Sequence, residues 1–483
     1  MHAPFSPHEV ASPHEYSLSD ILRALRSQIP GRLMEYTGSA SSHFQAEPIM
    51  YDARGERLPP LSDWELHLAQ HPSMETPDLP RFLTHKNAYT ERSRLMGENM
   101  VRISLDFARL CPSSGEFNHG LMAEYVEALA LIRARGMEPM LTLHHFTMPL
   151  YLVETSTNGN VHAGGWEHPD VAKRFRFYVE HVLQFLNDLD RLRPILAKIG
   201  LERRGQDQFL SEGLVNYFIS LNEPATMLFN GYLAGVFPPF KRGRVITAAR
   251  VLERMVEAHD ATYETIKRPR PGLTSPQMGA AYNWQYFDGA LGSVLDEVDP
   301  YYTNKFERDG AYSDFLGLQY YFRVTTPLLP GQRSRRDYGD HPAFGDVYPP
   351  GILEVMKKMH VAYPQKNIFL TEFGFSDTTD RRRPYWILET VRYVLEAKRL
   401  GIPIKGMLLW SLVNNFEWDL GMTQRFGLFD ENELHHTPKS VAGQVQSWEI
   451  WKAVLGAIMD PTEERIVDLE ELYDHAKRQH DEK

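Results

Sequence analysis

Asn367-Ile368-Phe369-Leu370-Thr371-Glu372-Phe373-Gly374 is a short apolar run that ends on an acid and a glycine. A strand with one wet face alternates apolar and polar residues, whereas an unbroken run such as Ile368-Phe369-Leu370 suits a parallel strand covered on both faces. Met407-Leu408-Leu409-Trp410 has the same texture. Working outward from these two, the pattern predicts strands at Leu33–Ser39, Met100–Leu105, Glu138–His145, Val215–Leu221, Met278–Tyr282, Phe315–Tyr320, Ile368–Thr371 and Ile404–Leu409, eight in all. Helical periodicity lies between them, over Gly120–Arg135, Asp170–Leu189, Thr247–Ile266, Gly351–His360 and Pro384–Leu400, with Gly136 and Gly401 as helix ends. Alternation of strand and helix eight times over predicts an α/β fold, a single (β/α)8 TIM barrel with loop insertions.

No Gly/Ser-rich or Pro-rich linker divides the chain. Residues 31–460 therefore read as one catalytic-sized barrel, preceded by an N-terminal tether (1–30) and followed by a charged tail (461–483) that forms either an exposed helix or a frayed end. Ser-Pro-His-Glu occurs at Ser6–Glu9 and again at Ser12–Glu15, too short an echo to be a structural repeat. The Arg-rich stretch Leu189–Gly213 reads as a surface excursion.

Composition narrows the partners. Of 483 residues, 52 are Lys or Arg and 63 are Asp or Glu, a formal net charge of −11 that argues against nucleic acid or an anionic membrane surface. Hydrophobic residues at 42% and charged residues at 24% support a large core rather than disorder. Cys111 is the only cysteine, so no intrachain disulfide exists. The N-terminus has neither the basic head nor the apolar run of a signal peptide, and no stretch reaches the roughly 18 apolar residues of a membrane span. The expectation is a cytoplasmic protein. Aromatics at 12%, with 8 Trp and 23 Tyr, suit a site that stacks on sugars.

In such a barrel the chemistry sits where the strands end, and these ends are unusually polar. In order they carry Gln45 and Glu47, Arg102, His144-His145, Asn222-Glu223-Pro224, Asn283-Trp284, Gln319-Tyr320-Tyr321, Glu372-Phe373-Gly374, and Trp410 followed by Asn414-Asn415-Phe416-Glu417-Trp418. A single such residue is an ordinary loop contact. A whole ring is not, because each buried charge costs several kcal/mol unless paired. Glu223 and Glu372 close strands three steps apart and can face each other across the mouth. Glycoside cleavage needs such a pair, one acid for the leaving oxygen and one carboxylate for the anomeric carbon or for water. No His-Glu-x-x-His, Cys-x-x-Cys or Gly-rich phosphate loop occurs, so neither a metal nor a nucleotide cofactor is expected.

With these segments in hand, the sequence resembles glycoside hydrolase family 1, the retaining β-glycosidases, over Met34 to Trp451. The motifs are Ile219-Ser220-Leu221-Asn222-Glu223-Pro224, Leu370-Thr371-Glu372-Phe373-Gly374, and Trp410 through Trp418 with Arg425-Phe426-Gly427 behind it. Leu141 through Phe146, Gly164-Gly165-Trp166, Gly38-Ser39-Ala40 and Asp314 through Tyr321 support them. The resemblance implies a small-molecule β-glycoside as substrate and no cofactor. It makes Glu223 the acid/base and Glu372 the nucleophile, with Arg102 and Tyr321 keeping Glu372 ionised. It makes Asn222 the holder of the sugar 2-hydroxyl, Gln45, His145, Glu417 and Trp418 the holders of the other hydroxyls, and Trp410 the platform beneath the ring. Phe426 joins the pocket, whereas His144 points to the opposite face from His145 and reads as core.

The chain departs from the family pattern at Phe373, Gln319, Phe146, Phe107, Asn414 and Pro48, changes expected around the site and at its entrance. The expected activity is exo-β-glycosidic hydrolysis of β-glucosides, β-galactosides or β-fucosides. A transglycosidase with the same covalent intermediate is the enzymatic alternative, with Phe146, Phe107 and the 189–213 stretch as candidates for acceptor capture. A non-catalytic sugar-binding protein of the same fold is the alternative from another class.

Overall fold

Each apolar run becomes a barrel strand. In the computed structural model, which describes residues 16–51, 54–74, 81–269, 274–289, 292, 297–325, 339–340, 345–434, 441 and 443–482, the strands are β1 (Tyr36–Ser42), β2 (Met100–Ser104), β3 (Glu138–Thr142), β4 (Tyr217–Asn222), β5 (Gln277–Asn283), β6 (Phe315–Tyr320), β7 (Asn367–Phe373) and β8 (Ile404–Trp410). Neighbours in sequence are neighbours in space, and β1 pairs with β8 to close the ring. Every pairing around the barrel is parallel. β1 starts at Tyr36 rather than Leu33, because the Leu33 N–H is already donated to the Ile458 carbonyl at 2.8 Å.

Strand alternation divides the core in two. Outward side chains meet the helices in one large layer, while Met100, Met140, Ile219, Phe315, Phe369 and Leu408 fill the barrel interior. One helix follows each strand: α2 (Lys86–Met96), α3 (His119–Ala134), α4 (Val171–Asn187), α7 (Val245–Ile266), α8 (Val298–Glu307), α9 (Gly351–Ala362), α10 (Arg383–Arg399) and α11 (Ser447–Met459). Gly136 and Gly401 sit just past α3 and α10 with φ of 78° and 91°, the left-handed region that ends a helix at little cost only for glycine.

Two segments differ from expectation, and the charged C-terminal stretch takes the helical of its two expected forms. Residues 189–213 are not a loose excursion but two helices, α5 (Leu189–Lys198) and α6 (Arg203–Glu212). Leu192 and Leu196 are buried, and the charges line the wet face in pairs such as Arg193–Asp207 and Lys198–Glu127. Within the stretch expected as a tether, α1 (Leu18–Gln28) buries Leu18, Ile21, Leu22 and Leu25. The charged C-terminal stretch forms α12 (Glu463–Asp481), which buries Ile466 and Leu469. Arg23 and Arg26 of α1 both pair with Glu463, so the two ends of the chain meet over the outside of α10. The Ser-Pro-His-Glu echo lies outside the described residues. Among the described residues no helix is long and apolar enough to cross a membrane.

Candidate active site

Strict alternation would aim neither Asn222 nor Glu372 into the mouth. On β4, Tyr217 and Ile219 face the barrel interior, and the register against β5 slips between Ile219 and Asn222. On β7, Phe369 faces inward, and the register against β6 slips between Leu370 and Glu372, leaving Thr371 as the extra residue. Each slip is a bulge, the device that re-aims side chains beside active sites. Asn222 and Glu372 are thereby turned into the mouth. Glu223 follows with φ 42° and ψ 61°, left-handed for a residue with a side chain, a strain of roughly 1–3 kcal/mol that surrounding structure must hold. Its N–H donates to the Ala281 carbonyl at 2.9 Å, and Pro224 starts a short helix immediately after it.

Both acids open into one cavity of about 780 Å³. Of the residues expected at the site, Gln45, His145, Asn222, Glu223, Tyr321, Glu372, Trp410, Glu417, Trp418 and Phe426 all line it. Arg102 lies beneath, 1% exposed. Its Nε donates to Thr142 Oγ1 at 2.8 Å, Nη1 to the Thr371 carbonyl at 3.3 Å and to Glu372, and Nη2 to Asn222 Oδ1 at 2.6 Å. Tyr321 donates its hydroxyl to the other oxygen of Glu372 at 2.5 Å. Phe426 meets the Tyr321 ring edge-on at 5.9 Å.

The acids differ in what faces them. Burial pushes Glu223 up to about 8, helped by the negative charge of Glu372 and opposed by hydrogen bonds from Thr226 and Asn283. Burial raises Glu372 too, but Arg102 and the Tyr321 hydroxyl pull it down. The pair thus favours a carboxylate on Glu372 and a proton on Glu223 near neutral pH. Burial also raises Glu417 to about 8, against the pull of the Trp410 indole N–H, which donates to Glu417 Oε1 at 2.9 Å. His145 is held neutral, its pKa lowered by burial and then by the Arg102 charge.

The sugar-facing groups are tied into place from behind. Gln45 Nε2 donates to the Phe416 carbonyl at 2.9 Å, leaving Oε1 buried without a partner. His145 Nδ1 lies 2.9 Å from Ser104 Oγ, and its ring stacks on Trp418 at 5.8 Å. Asn222 Oδ1 accepts from Gln319 Nε2 at 2.8 Å as well as from Arg102, so only the amide nitrogen of Asn222 is left to offer hydrogens. Gln319 is therefore a bonded part of the site's support.

Some expectations fail. Phe107 is not at the entrance: it is 1% exposed and packs on Phe175 and Tyr178. Nothing from 189–213 lines the cavity, because α5 and α6 lead into the opposite end of β4. Glu47 turns away to His43, with Nε2···Oε2 at 3.2 Å. Phe373 is buried against Trp451 and alters packing rather than the cavity wall. His144, by contrast, is the core residue expected, buried against Trp166. Sequence reasoning missed Thr226, whose only signal is its position one helical turn after Glu223. Among the described residues no three His, Cys, Asp or Glu side chains group as a metal site would require.

Known proteins resemble this chain in sequence and in fold. The model of glycosyl hydrolase family 1 matches residues 85–193 and 335–447. A rice protein (Oryza sativa subsp. japonica) named beta-glucosidase-like SFR2, chloroplastic, is 25% identical over 376 residues, which are 72% of this chain and 52% of its own length. The chain thus spans about half of that relative. A beta-galactosidase of Sulfolobus acidocaldarius is 23% identical over 376 residues, 69% of this chain and 70% of that protein. In three dimensions, the beta-glycosidase of Thermosphaera aggregans superposes with a TM-score of 0.69 at 22% identity, covering 91% of this chain and 98% of the other, which establishes the shared fold.

Proposed function

Since the chain belongs to glycosyl hydrolase family 1, a family of O-glycoside hydrolases, we propose that it is a retaining exo-β-glycosidase acting on β-glucosides, β-galactosides or β-fucosides. The observation that carries this reading is the pair of buried carboxyls in one cavity with opposite surroundings. Glu372 is bonded directly to a guanidinium and a phenol hydroxyl; Glu223 has only the neutral side chains of Thr226 and Asn283 as donors and feels Arg102 without a bond to it, while the Glu372 charge raises its pKa.

Glu372 attacks the anomeric carbon as Glu223 protonates the glycosidic oxygen, so the aglycone leaves as a neutral alcohol. The transition state is oxocarbenium-like, and the product of this half is a covalent α-glycosyl ester on Glu372. Proton transfer leaves Glu223 ionised and Glu372 esterified, which also removes the repulsion between the two acids. Glu223 then takes a proton from water as that water attacks, releasing the β-anomer. Trp410 supports the ring from below, Asn222 meets the 2-hydroxyl, and Gln45, His145, Glu417 and Trp418 meet the others. Among the described residues no Lys or Arg lines the cavity, which disfavours a 6-phosphosugar beside Glu417.

A panel of chromogenic aryl β- and α-glycosides, with proton NMR of the first sugar released, tests the proposal. Hydrolysis of β-substrates with the β-anomer appearing first is expected. First release of the α-anomer overturns the retaining mechanism, and glycosyl transfer to an added alcohol without hydrolysis would favour the transglycosidase.

A further inference from the structure

Beyond the two carboxyls the cavity changes character. Phe229, Leu233, Val236, Phe287, Val298 and Val324 wall its outer part. All six are at least partly exposed, with Phe229 59%, Val236 37% and Val298 38% accessible, whereas Gln45, His145, Asn222, Glu372 and Glu417 at the inner end are buried. Large apolar side chains left wet around the rim of one cavity mark a surface built to be covered.

The wall is held in place. Phe229–Ala234 is wound as a π-helix, a form found mostly at functional sites. The chain then folds back on it, with Val236 N–H donating to the Asn230 carbonyl at 2.9 Å, Lys241 N–H to Gly231 at 2.9 Å and Gly243 N–H to Leu233 at 3.0 Å. Three polar side chains in this part of the cavity, Thr226, Asn283 and Gln285, are tied to one another. Asn283 Nδ2 donates to Thr226 Oγ1 at 3.3 Å, Gln285 Nε2 to Asn283 Oδ1 at 2.9 Å, and Gln285 N–H to Asp299 Oδ2 at 2.7 Å. Gln285 Oε1 stays buried without a partner. A second pyranose would bring several hydroxyls that need partners.

We propose that the aglycone this protein accepts is a bulky hydrocarbon group, alkyl or aryl, and not a second sugar, so that its substrates are amphiphilic β-glycosides. The inference rests on the β-glycosidase reading of the inner end, since the same cavity holds the sugar there and the group attached to it here.

Two measurements separate the inference from that reading. Hydrolysis is followed for methyl, butyl, hexyl and octyl β-glucosides below their micellar concentrations, with cellobiose alongside. Each fully buried methylene contributes up to about fourfold, so kcat/KM should rise roughly 30-fold or more from methyl to octyl, with cellobiose well below octyl. Phe229→Ser and Val298→Ser should each reduce the octyl-to-methyl ratio severalfold. Calorimetric binding of octyl and methyl β-thioglucoside needs no turnover, and the octyl compound should bind tighter. Turnover of all substrates with no chain-length dependence, or cellobiose ahead of octyl glucoside, overturns the apolar subsite and leaves the hydrolase reading standing. Tighter octyl binding without any turnover does the reverse.

Discussion

The two ends of the barrel interior are made by the same strands and obey opposite rules. At the lower end Tyr36, Tyr217, Phe315 and Phe369 pack ring against ring, with centroids of Phe315 and Phe369 4.9 Å apart and of Tyr217 and Phe369 5.5 Å apart. Three residues above Phe369, on the same strand, sits Glu372 with Arg102 and Tyr321. Aromatic burial at the lower end stabilises the fold, while at the upper end three buried acids are crowded into one cavity at a cost in solvation. The contrast teaches that stability and chemistry are segregated along each strand, not between strands. Substitutions at the two ends should therefore fail in different ways.

The hardest test of that segregation is Glu372→Gly. Activity should fall by about 10⁴-fold or more, the scale on which a lost covalent nucleophile acts, while the protein stays folded, because Arg102, though deprived of its anion, keeps its bonds to Thr142, the Thr371 carbonyl and Asn222. Added azide or formate should restore turnover and yield an α-glycosyl product, as a small anion enters the vacated space. A variant that hydrolyses β-glycosides at the original rate would end the nucleophile assignment.

Its mirror image is Phe369→Ala at the lower end. A buried aromatic ring removed from a packed interior costs about 3–5 kcal/mol, read as a lower urea midpoint or Tm. The surviving folded fraction should keep kcat/KM within a few fold of the original. A loss of activity much larger than the unfolded fraction explains would show that the two ends are coupled.

A smaller effect separates sugar recognition from catalysis within the upper end. Glu417 accepts from Trp410 through Oε1, which leaves Oε2 for the substrate. Glu417→Gln should impair β-glucoside and β-galactoside turnover more than β-xyloside turnover, since a xyloside lacks the 6-hydroxymethyl group. The selectivity should shrink by roughly tenfold, within the about 1–3 kcal/mol that a buried polar group without its partner costs. Equal losses on all three sugars, with a lower Tm, would make Glu417 a structural residue.

How much of this was legible before the fold was known follows from the same contrast. All eight strands could be read, because several are near-continuous apolar runs and helical periodicity separates them, and Phe315–Tyr320 agrees to the residue. The polar ring was visible because polar residues ending apolar runs are otherwise costly. The bulges at Thr371 and after Ile219 were invisible, since an extra residue leaves no mark in composition; strict alternation from Phe369 would have turned Glu372 outward. The charged stretches hid how much of each is packed. In 189–213 and 461–483 the charges mark the wet face of a packed helix, and the few apolar residues beneath them, Leu192, Leu196, Ile466 and Leu469, decide the structure. Phe107 misled because a buried ring and an entrance ring look alike in sequence.

The subtlest prediction concerns how Glu372 is kept ionised. Two donors hold its carboxylate, Arg102 on one oxygen and the Tyr321 hydroxyl on the other, and both lower a pKa that burial raises. Glu223 must keep its proton, and burial with the Glu372 charge lifts it to about 8. The profile of kcat/KM against pH should thus be a bell whose basic limb lies near 8, its acid limb set by Glu372. Tyr321→Phe removes one hydrogen bond to the charged form and keeps the ring against Phe426. Loss of a donor to a carboxylate favours its protonated form, so the Glu372 pKa rises and the acid limb moves to higher pH. The basic limb should move less, since Tyr321 donates to Glu372 and not to Glu223, and the bell should narrow from its acid side. If the acid limb stays in place and only the maximum falls, Tyr321 serves to position the carboxylate without tuning its charge.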